Sequence, residues 1–175
     1  MESGVGGVSL HLSIMRATAG GGRRRWAAYG AAAWAFAFGA MSFYWALGGR
    51  LSLGTQALSI REQVDDPGFV AVLWATGALK VVAGVIALAL VRPFGRKVPR
   101  RVRLVGAGGI TVLLLLYGGL GWVESLLWET GVVDIPASVG ADAARWKLAF
   151  WDPFWLLGGV LFLVAVVQFR RSDIE

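Results

Sequence analysis

The chain has 175 residues, of which 57% are hydrophobic and 16% are charged, and its formal net charge is +6. Soluble domains carry about 25% charged residues, so this composition excludes an ordinary soluble domain and indicates a membrane protein. The sequence has no cysteine, and its single histidine, His11, precedes the first apolar segment, so we predict no metal site and no cofactor.

Four apolar segments are long enough to cross a bilayer as helices, at about 26–47, 69–91, 102–128 and 148–169. We therefore predict an all-α polytopic membrane protein, an antiparallel four-helix transmembrane bundle spanning residues 23–171. Residues 1–22, which are polar and Gly-rich, and residues 172–175 are predicted to be cytoplasmic tails, the first of them disordered.

Basic residues are concentrated at alternate ends of these segments. Four precede the first segment, six fill the link between the second and third, and two follow the fourth, together 12 of 17. Short loops rich in lysine and arginine stay in the cytoplasm, so we predict that both termini are cytoplasmic and that the protein lies in the inner (plasma) membrane. This distribution explains the positive charge, so the predicted partner is the lipid bilayer and not nucleic acid.

The two outer loops contain signals for short helices and turns. Ala57, Ile60 and Val64 have helical spacing and predict a short interfacial helix, and residues 65–68 (DDPG) predict a turn before the second segment. Asp152 and Pro153 predict the start of the fourth helix, with Asp152 as its N-cap. Residues 141–151 would then form a separate amphipathic piece; the alternative is one continuous helix kinked at the proline.

Aromatic residues gather near the outer ends of the apolar segments. Because tryptophan and tyrosine favour the membrane–water interface, we interpret this group as an interfacial belt in preference to a stacking pocket. Its members are Tyr44, Trp45, Trp122, Trp128, Trp151 and Trp155.

Lys80 lies in the middle of the second apolar segment, about 18 Å from the outer end of that helix. A lysine at this depth costs about 3 kcal/mol. The short link predicts that the second and third segments are antiparallel neighbours, and helical side chains lean toward their own N-terminus. We therefore predict that Lys80 contacts Glu124, directly or through one water; the alternatives are that Lys80 snorkels and that Glu124 faces solvent.

These polar residues converge on the outer half of the predicted bundle. An ionisable residue inside a membrane is by default a candidate functional residue. We predict an outward-facing polar pocket for a small molecule or a lipid-like ligand, formed by Lys80, Glu124, Asp152, Tyr44 and Tyr117.

Two stretches of the sequence resemble a known family. "FYWALGG" at residues 43–49 and "RWKLAFWDPFWLLGGVLF" at residues 145–162 are similar to small bacterial four-span membrane proteins of an uncharacterised family (domain of unknown function 3995). The resemblance implies four spans and a Trp-Asp-Pro segment at the fourth, but no assigned chemistry.

The sequence leaves three kinds of function open. The first is an integral membrane protein of unknown activity with the outward-facing pocket. The second is a non-catalytic scaffold or accessory subunit of a membrane complex, and the third is a small drug- or ion-type transporter that acts as a dimer; a homo- or hetero-oligomer is compatible with each. No nucleophile motif, phosphate-binding loop or dinucleotide fingerprint accompanies the polar residues, so the sequence favours a protein that is not an enzyme.

Overall fold

The computed structural model describes residues 25–171, so the tails predicted at 1–22 and 172–175 lie outside the described residues. Between residues 25 and 171 the chain forms six α-helices and no strand, which confirms the all-α class. They are α1 (Trp26–Ala46), α2 (Leu58–Gln63), α3 (Pro67–Ala89), α4 (Arg100–Glu129), α5 (Ala141–Trp146) and α6 (Asp152–Arg171).

Three helices in the described part of the chain are long and apolar enough to cross a membrane. They are α3, α4 and a continuous helix, Ala141–Arg171, that includes α5 and α6. The helix α1 has 21 residues and is also long enough, but it is rich in alanine, glycine, tryptophan and tyrosine, which are less hydrophobic than leucine or valine. The composition of the helices thus supports three of the four predicted spans.

The connections of the bundle lie at two opposite ends. Residues 47–66 and 130–140 form the loop end, and residues 90–99 form the arginine end, where a 3₁₀ turn occupies Pro93–Lys97. At the loop end, the predicted short helix is confirmed as α2. Its first residues pair with the other loop, because Leu58 N–H donates to the Val139 carbonyl (3.3 Å) and Ser59 N–H to the Ser138 carbonyl (2.9 Å). The two loops therefore pack together over the helices.

An Asp-Pro pair begins α3. The Asp66 Oδ1 atom accepts hydrogen bonds from the backbone N–H groups of Gly68 (2.9 Å) and Phe69 (3.0 Å), and Pro67 occupies the first helical position. A carboxylate at this position satisfies N–H groups that the helix leaves unpaired, and proline has no N–H to lose there. The turn predicted from residues 65–68 is thus a capped helix start.

Helix packing differs from the order suggested by the short link. The helix α1 packs against α3 and α6, and α4 packs against α6, whereas α3 and α4 make few contacts with each other. Glycines allow these helices to approach each other closely. A Cβ atom at Gly77 of α3 would lie 2.5 Å from the Phe43 ring of α1. A Cβ atom at Gly118 of α4 would lie 2.9 Å from the backbone nitrogen of Leu156 in α6. The second and third segments therefore contact each other, but neither is the main packing partner of the other.

The Asp-Pro pair at Asp152–Pro153 does not begin a new helix. The chain is helical from Ala141 to Arg171, with a π-helical turn at Lys147–Trp151 just before the proline. Asp152 itself has helical dihedral angles (φ −67°, ψ −46°). The predicted N-cap and the separate amphipathic piece are wrong, and the alternative of one continuous helix is right. A proline leaves one carbonyl of the preceding turn without its usual partner, and a wider turn is a common adjustment to such a defect.

Candidate ligand-binding cavity

A cavity of about 530 Å³ lies between α1, α3, α4 and α6 at the loop end of the bundle. Side chains from both loops and from the middle of the helices line it, so it extends from the loop end down to the depth of Lys80. It brings together eight of the ten residues that the sequence singles out, namely Lys80, Glu124, Asp152, Tyr117, Trp45, Trp128, Trp151 and Trp155.

The other two candidate residues lie on the outer surface of the bundle. Tyr44 is 46% exposed and sits beside Gly49, and Trp122 is 41% exposed. Neither lines the cavity. Helical geometry separates Tyr44 from its neighbour Trp45, because adjacent positions on a helix point about 100° apart.

Lys147 is the centre of a cluster at the α4–α6 contact. Its ammonium donates to the Gly121 carbonyl (2.9 Å), to Ser125 Oγ (3.1 Å) and to Asp152 Oδ2 (3.1 Å). Its nitrogen also lies 3.4 Å from Glu124 Oε2. Three hydrogen bonds use all three N–H groups of a lysine, so this ammonium is fully bonded and is balanced by two carboxylates.

Asp152 is buried within this cluster, and only 3% of its side chain is exposed. Its Oδ2 atom accepts a hydrogen bond of 2.6 Å from Ser125 Oγ in addition to the bond from Lys147. The π-helical turn contributes to this arrangement, because a wider turn brings residues five apart onto the same side of a helix. The carboxylate that the sequence suggests as a helix cap is therefore paired with Lys147 of its own helix, and both side chains bond to α4 through Ser125.

Lys80 makes contacts of a different kind. Its ammonium donates a 2.7 Å hydrogen bond to Ser42 Oγ on α1. It also lies 4.1 Å from the centre of the Phe38 ring and 5.8 Å from that of a Trp155 ring. Aromatic faces attract cations, so these rings offset part of the cost of placing the ammonium at this depth.

Lys80 and Glu124, both within the described range, form no ion pair with each other. Glu124 binds Lys147 and Lys80 binds Ser42. The predicted direct contact is absent because α3 packs mainly on α1 and makes few contacts with α4, and the lysine bonds to Ser42 of α1 instead. Both side chains nevertheless line the same cavity.

Aromatic rings form a connected wall along the cavity. The Phe38 ring is 4.7 Å from that of Trp155 and 6.3 Å from that of Trp151, and Trp151 lies 6.2 Å from Trp45. Hydrogen bonds fix two of the indoles at the loop end, because Trp45 Nε1 donates to the Leu51 carbonyl (2.8 Å) and Trp151 Nε1 to Thr55 Oγ1 (3.1 Å). The wall is thus held in place by contacts between its rings and by hydrogen bonds to the loop end.

The burial of these tryptophans differs from that of a lipid-facing belt. Trp45, Trp128 and Trp151 are only 7%, 8% and 7% exposed, whereas a belt residue lies on the outer surface of its helix. They pack inside the bundle, around the cavity.

Sequence reasoning missed three residues that organise the cavity: Ser42, Ser125 and Lys147. Lys147 is one of only three lysines in the chain, and its spacing of five from Asp152 carries no signal for a regular helix. The two serines lie in helices that are otherwise mostly apolar, and no sequence motif marks them. Their roles can be assigned only when it is known which helices pack together. In the described part of the chain, no group of three His, Cys, Asp or Glu residues is placed to hold a metal ion.

The fold and the cavity together define an all-helical protein with helices apolar enough for a membrane and a polar, aromatic-lined cavity at one end. The chain belongs to the family described as proteins of unknown function (DUF3995), whose model matches residues 35–162. No curated protein and no solved structure matches the chain.

Proposed function

We propose that the protein is a four-span inner-membrane protein with both termini in the cytoplasm, and that its cavity opens outward and binds a small molecule or a lipid. The observation that carries the binding proposal is the cavity at the loop end, with its aromatic wall and its four charged residues.

The position of α1 in the bundle supports a fourth span. Its 21 residues correspond to about 31 Å of helix, close to the thickness of the hydrocarbon core. Five of its alanines and Trp34 are buried, and the helix packs against α3 and α6. A helix held between two membrane-spanning helices over its length crosses the membrane with them.

The basic residues support the orientation. The arginine end contains Arg92, Arg96 and Lys97, and α4 begins there with three more arginines. The loop end contains few basic side chains, and Arg50 there is paired with Asp65 at 2.6 Å. Positively charged short loops remain in the cytoplasm, so the loop end and its cavity face outward.

The properties of the cavity support ligand binding. Its volume of about 530 Å³ lies within the range of about 300–1,000 Å³ that small-molecule sites occupy. Such sites combine apolar and aromatic walls with a few polar groups that orient the ligand. Tryptophans supply the walls here, and Lys80 and Glu124 supply polar groups that line the same space.

The binding proposal is tested by comparing molecules that co-purify with wild type and with a variant whose cavity mouth is filled. Ala57 lines the cavity from the loop end, so Ala57→Phe adds volume at the mouth. Val85 is 44% exposed on α3 and lies outside the cavity, so Val85→Phe is the matched control. Mass spectrometry should find a ligand bound to wild type and to Val85→Phe and lost from Ala57→Phe. Equal ligand content in all three proteins contradicts the proposal.

A further inference from the structure

We propose that Lys80 recognises the anionic group of the ligand, and that the ligand is an apolar or aromatic molecule ending in a carboxylate, phosphate or sulfonate. This inference rests on the proposed function, because it names the class of molecule that the cavity binds. The observation behind it is the unequal bonding of the two ammonium groups that line the cavity.

Lys147 has no N–H group left for a ligand. Its three hydrogen bonds go to Gly121, Ser125 and Asp152, and Glu124 is a further ion-pair partner. Lys80, in contrast, has Ser42 Oγ as its one hydrogen-bond partner among residues 25–171. A lysine has three N–H donors, so two donors of Lys80 are free to bind an anion.

The groups around Lys80 leave its positive charge without an anion. The Ser42 hydroxyl is neutral and donates in turn to the Phe38 carbonyl (3.4 Å), which orients its lone pairs toward the ammonium. The other neighbours are the rings of Phe38 and Trp155. A ligand anion that enters the cavity therefore meets an ammonium that no carboxylate of the described chain neutralises.

The carboxylates of the cavity do not compete for Lys80. Asp152 is buried against Ser125 and Lys147. Glu124 carries the excess negative charge of that cluster, but 56% of its side chain is exposed, and solvent weakens the field of an exposed charge. The anion is therefore expected at Lys80 and not at Lys147.

A cationic ligand is disfavoured by the same geometry. Aromatic walls commonly bind ligand cations through their ring faces. Here the ammonium of Lys80 already lies over the Phe38 ring at 4.1 Å, so a second cation at this ring would be repelled. The remaining wall, formed by Trp45, Trp151 and Trp155, suits an apolar chain or an aromatic ring.

The test measures binding of three brominated probes of equal chain length, a carboxylate, an alcohol and an amine, to the full chain in detergent. Bromine quenches tryptophan fluorescence, and Trp45, Trp151 and Trp155 line the cavity. In wild type the carboxylate should bind most tightly and the amine least. Lys80→Met should raise the Kd of the carboxylate by about 10- to 100-fold, and it should change the Kd of the alcohol by less than about twofold.

Three further variants complete the design. Lys80→Arg keeps the charge and should keep the preference for the carboxylate, and Lys80→Gln replaces Lys80→Met if that variant does not bind the alcohol. Lys97→Met removes an exposed lysine at the arginine end and should change nothing. Bromobenzoate distinguishes the source of the anion: tighter binding of the chain carboxylate assigns a lipid-derived ligand, and tighter binding of bromobenzoate assigns a water-soluble aromatic acid.

The outcomes separate this inference from the proposed function. If Lys80→Met and Lys80→Gln bind the carboxylate as wild type does, while Ala57→Phe abolishes binding of both carboxylate and alcohol, the cavity binds ligands but Lys80 does not recognise them. If Ala57→Phe leaves quenching by every probe unchanged, the cavity is not the binding site, and the proposed function fails as well.

Discussion

At the residue scale, substitutions of Asp152 and its partner Lys147 test what stabilises the contact between α4 and α6. Asp152 is 2% exposed and binds Lys147 and Ser125. Removing Lys147 leaves the buried carboxylate of Asp152 without its counter-charge, and neutralising Asp152 weakens its bonds with Lys147 and Ser125. Lys147→Met alone and Asp152→Asn alone should each lower the free energy of unfolding by about 1–3 kcal/mol, and the double variant should recover about 1 kcal/mol of the summed loss.

Thermal unfolding in detergent measures these losses. The matched control is the exposed pair of Arg145 and Asp142, with an N–O distance of 3.8 Å and side chains that are 72% and 94% exposed. Arg145→Met should cost less than about 0.5 kcal/mol. Strictly additive losses for the Lys147 and Asp152 variants would show that the two side chains do not stabilise each other.

A second prediction about single residues distinguishes the predicted contact between Lys80 and Glu124 from the contacts that the structure contains. Lys80 binds Ser42 and Glu124 binds Lys147. Lys80→Met and Glu124→Gln should therefore be additive within about 0.5 kcal/mol in a double-mutant cycle, as independent sites are. A coupling of more than about 1 kcal/mol would mean that the two side chains interact directly.

The two Asp-Pro pairs give a further prediction. Asp66 caps α3 through the N–H groups of Gly68 and Phe69. Asp66→Ala should cost about 1 kcal/mol of unfolding free energy, and Asp66→Asn should be nearly neutral because asparagine also caps helices. Thermal unfolding of both variants is the measurement; equal losses for Asn and Ala would show that the cap contributes nothing.

These residues also show what sequence reasoning could find. The sequence indicates Lys80, Glu124 and Asp152 as important, because charged residues are rare in apolar segments, and the structure places all three at one cavity. It could not assign their partners. The motif Asp-Pro is the same at Asp66 and Asp152, and only the helical residues before Asp152 distinguish an internal position from a cap.

At the element scale, glycines set the contact between α4 and α6. A Cβ atom at Gly118 would lie 2.9 Å from the backbone nitrogen of Leu156, and backbone cannot move aside as a flexible side chain can. Gly118→Ala should therefore separate the two helices and cost about 1–3 kcal/mol. Gly108 lies on the same helix with nothing within 4 Å of its Cβ position, so Gly108→Ala should be neutral or stabilising by up to about 1 kcal/mol.

Thermal unfolding of these two variants compares the same substitution in one helix at two positions. A loss at Gly108 equal to that at Gly118 would show that the helix backbone, and not its contact with α6, is the cause. These glycine contacts also show why helix pairing could not be predicted from the sequence. Hydropathy locates α3 and α4, and a short link joins them. The close contacts at their glycines, however, are between α3 and α1 and between α4 and α6.

At the scale of the whole molecule, the number of spans depends on α1. Among residues 25–171, three helices are apolar enough to cross a membrane by composition, and the proposed fourth span is α1, which packs against α3 and α6. The chain contains no cysteine, so single cysteines can report which side of the membrane each end lies on. A membrane-impermeant maleimide labels only those that face outward in intact cells.

The last prediction uses four such positions: Arg25, Arg61, Lys97 and Asp134. Arg61→Cys and Asp134→Cys lie at the loop end and should be labelled in intact cells. Arg25→Cys and Lys97→Cys should be labelled only after the membrane is permeabilised, because basic flanks remain in the cytoplasm. Labelling of Arg25→Cys and Arg61→Cys on the same side would leave α1 outside the membrane and give a three-span protein. The reverse pattern at all four positions would keep four spans and turn the cavity toward the cytoplasm, where its ligand would be a cytoplasmic molecule.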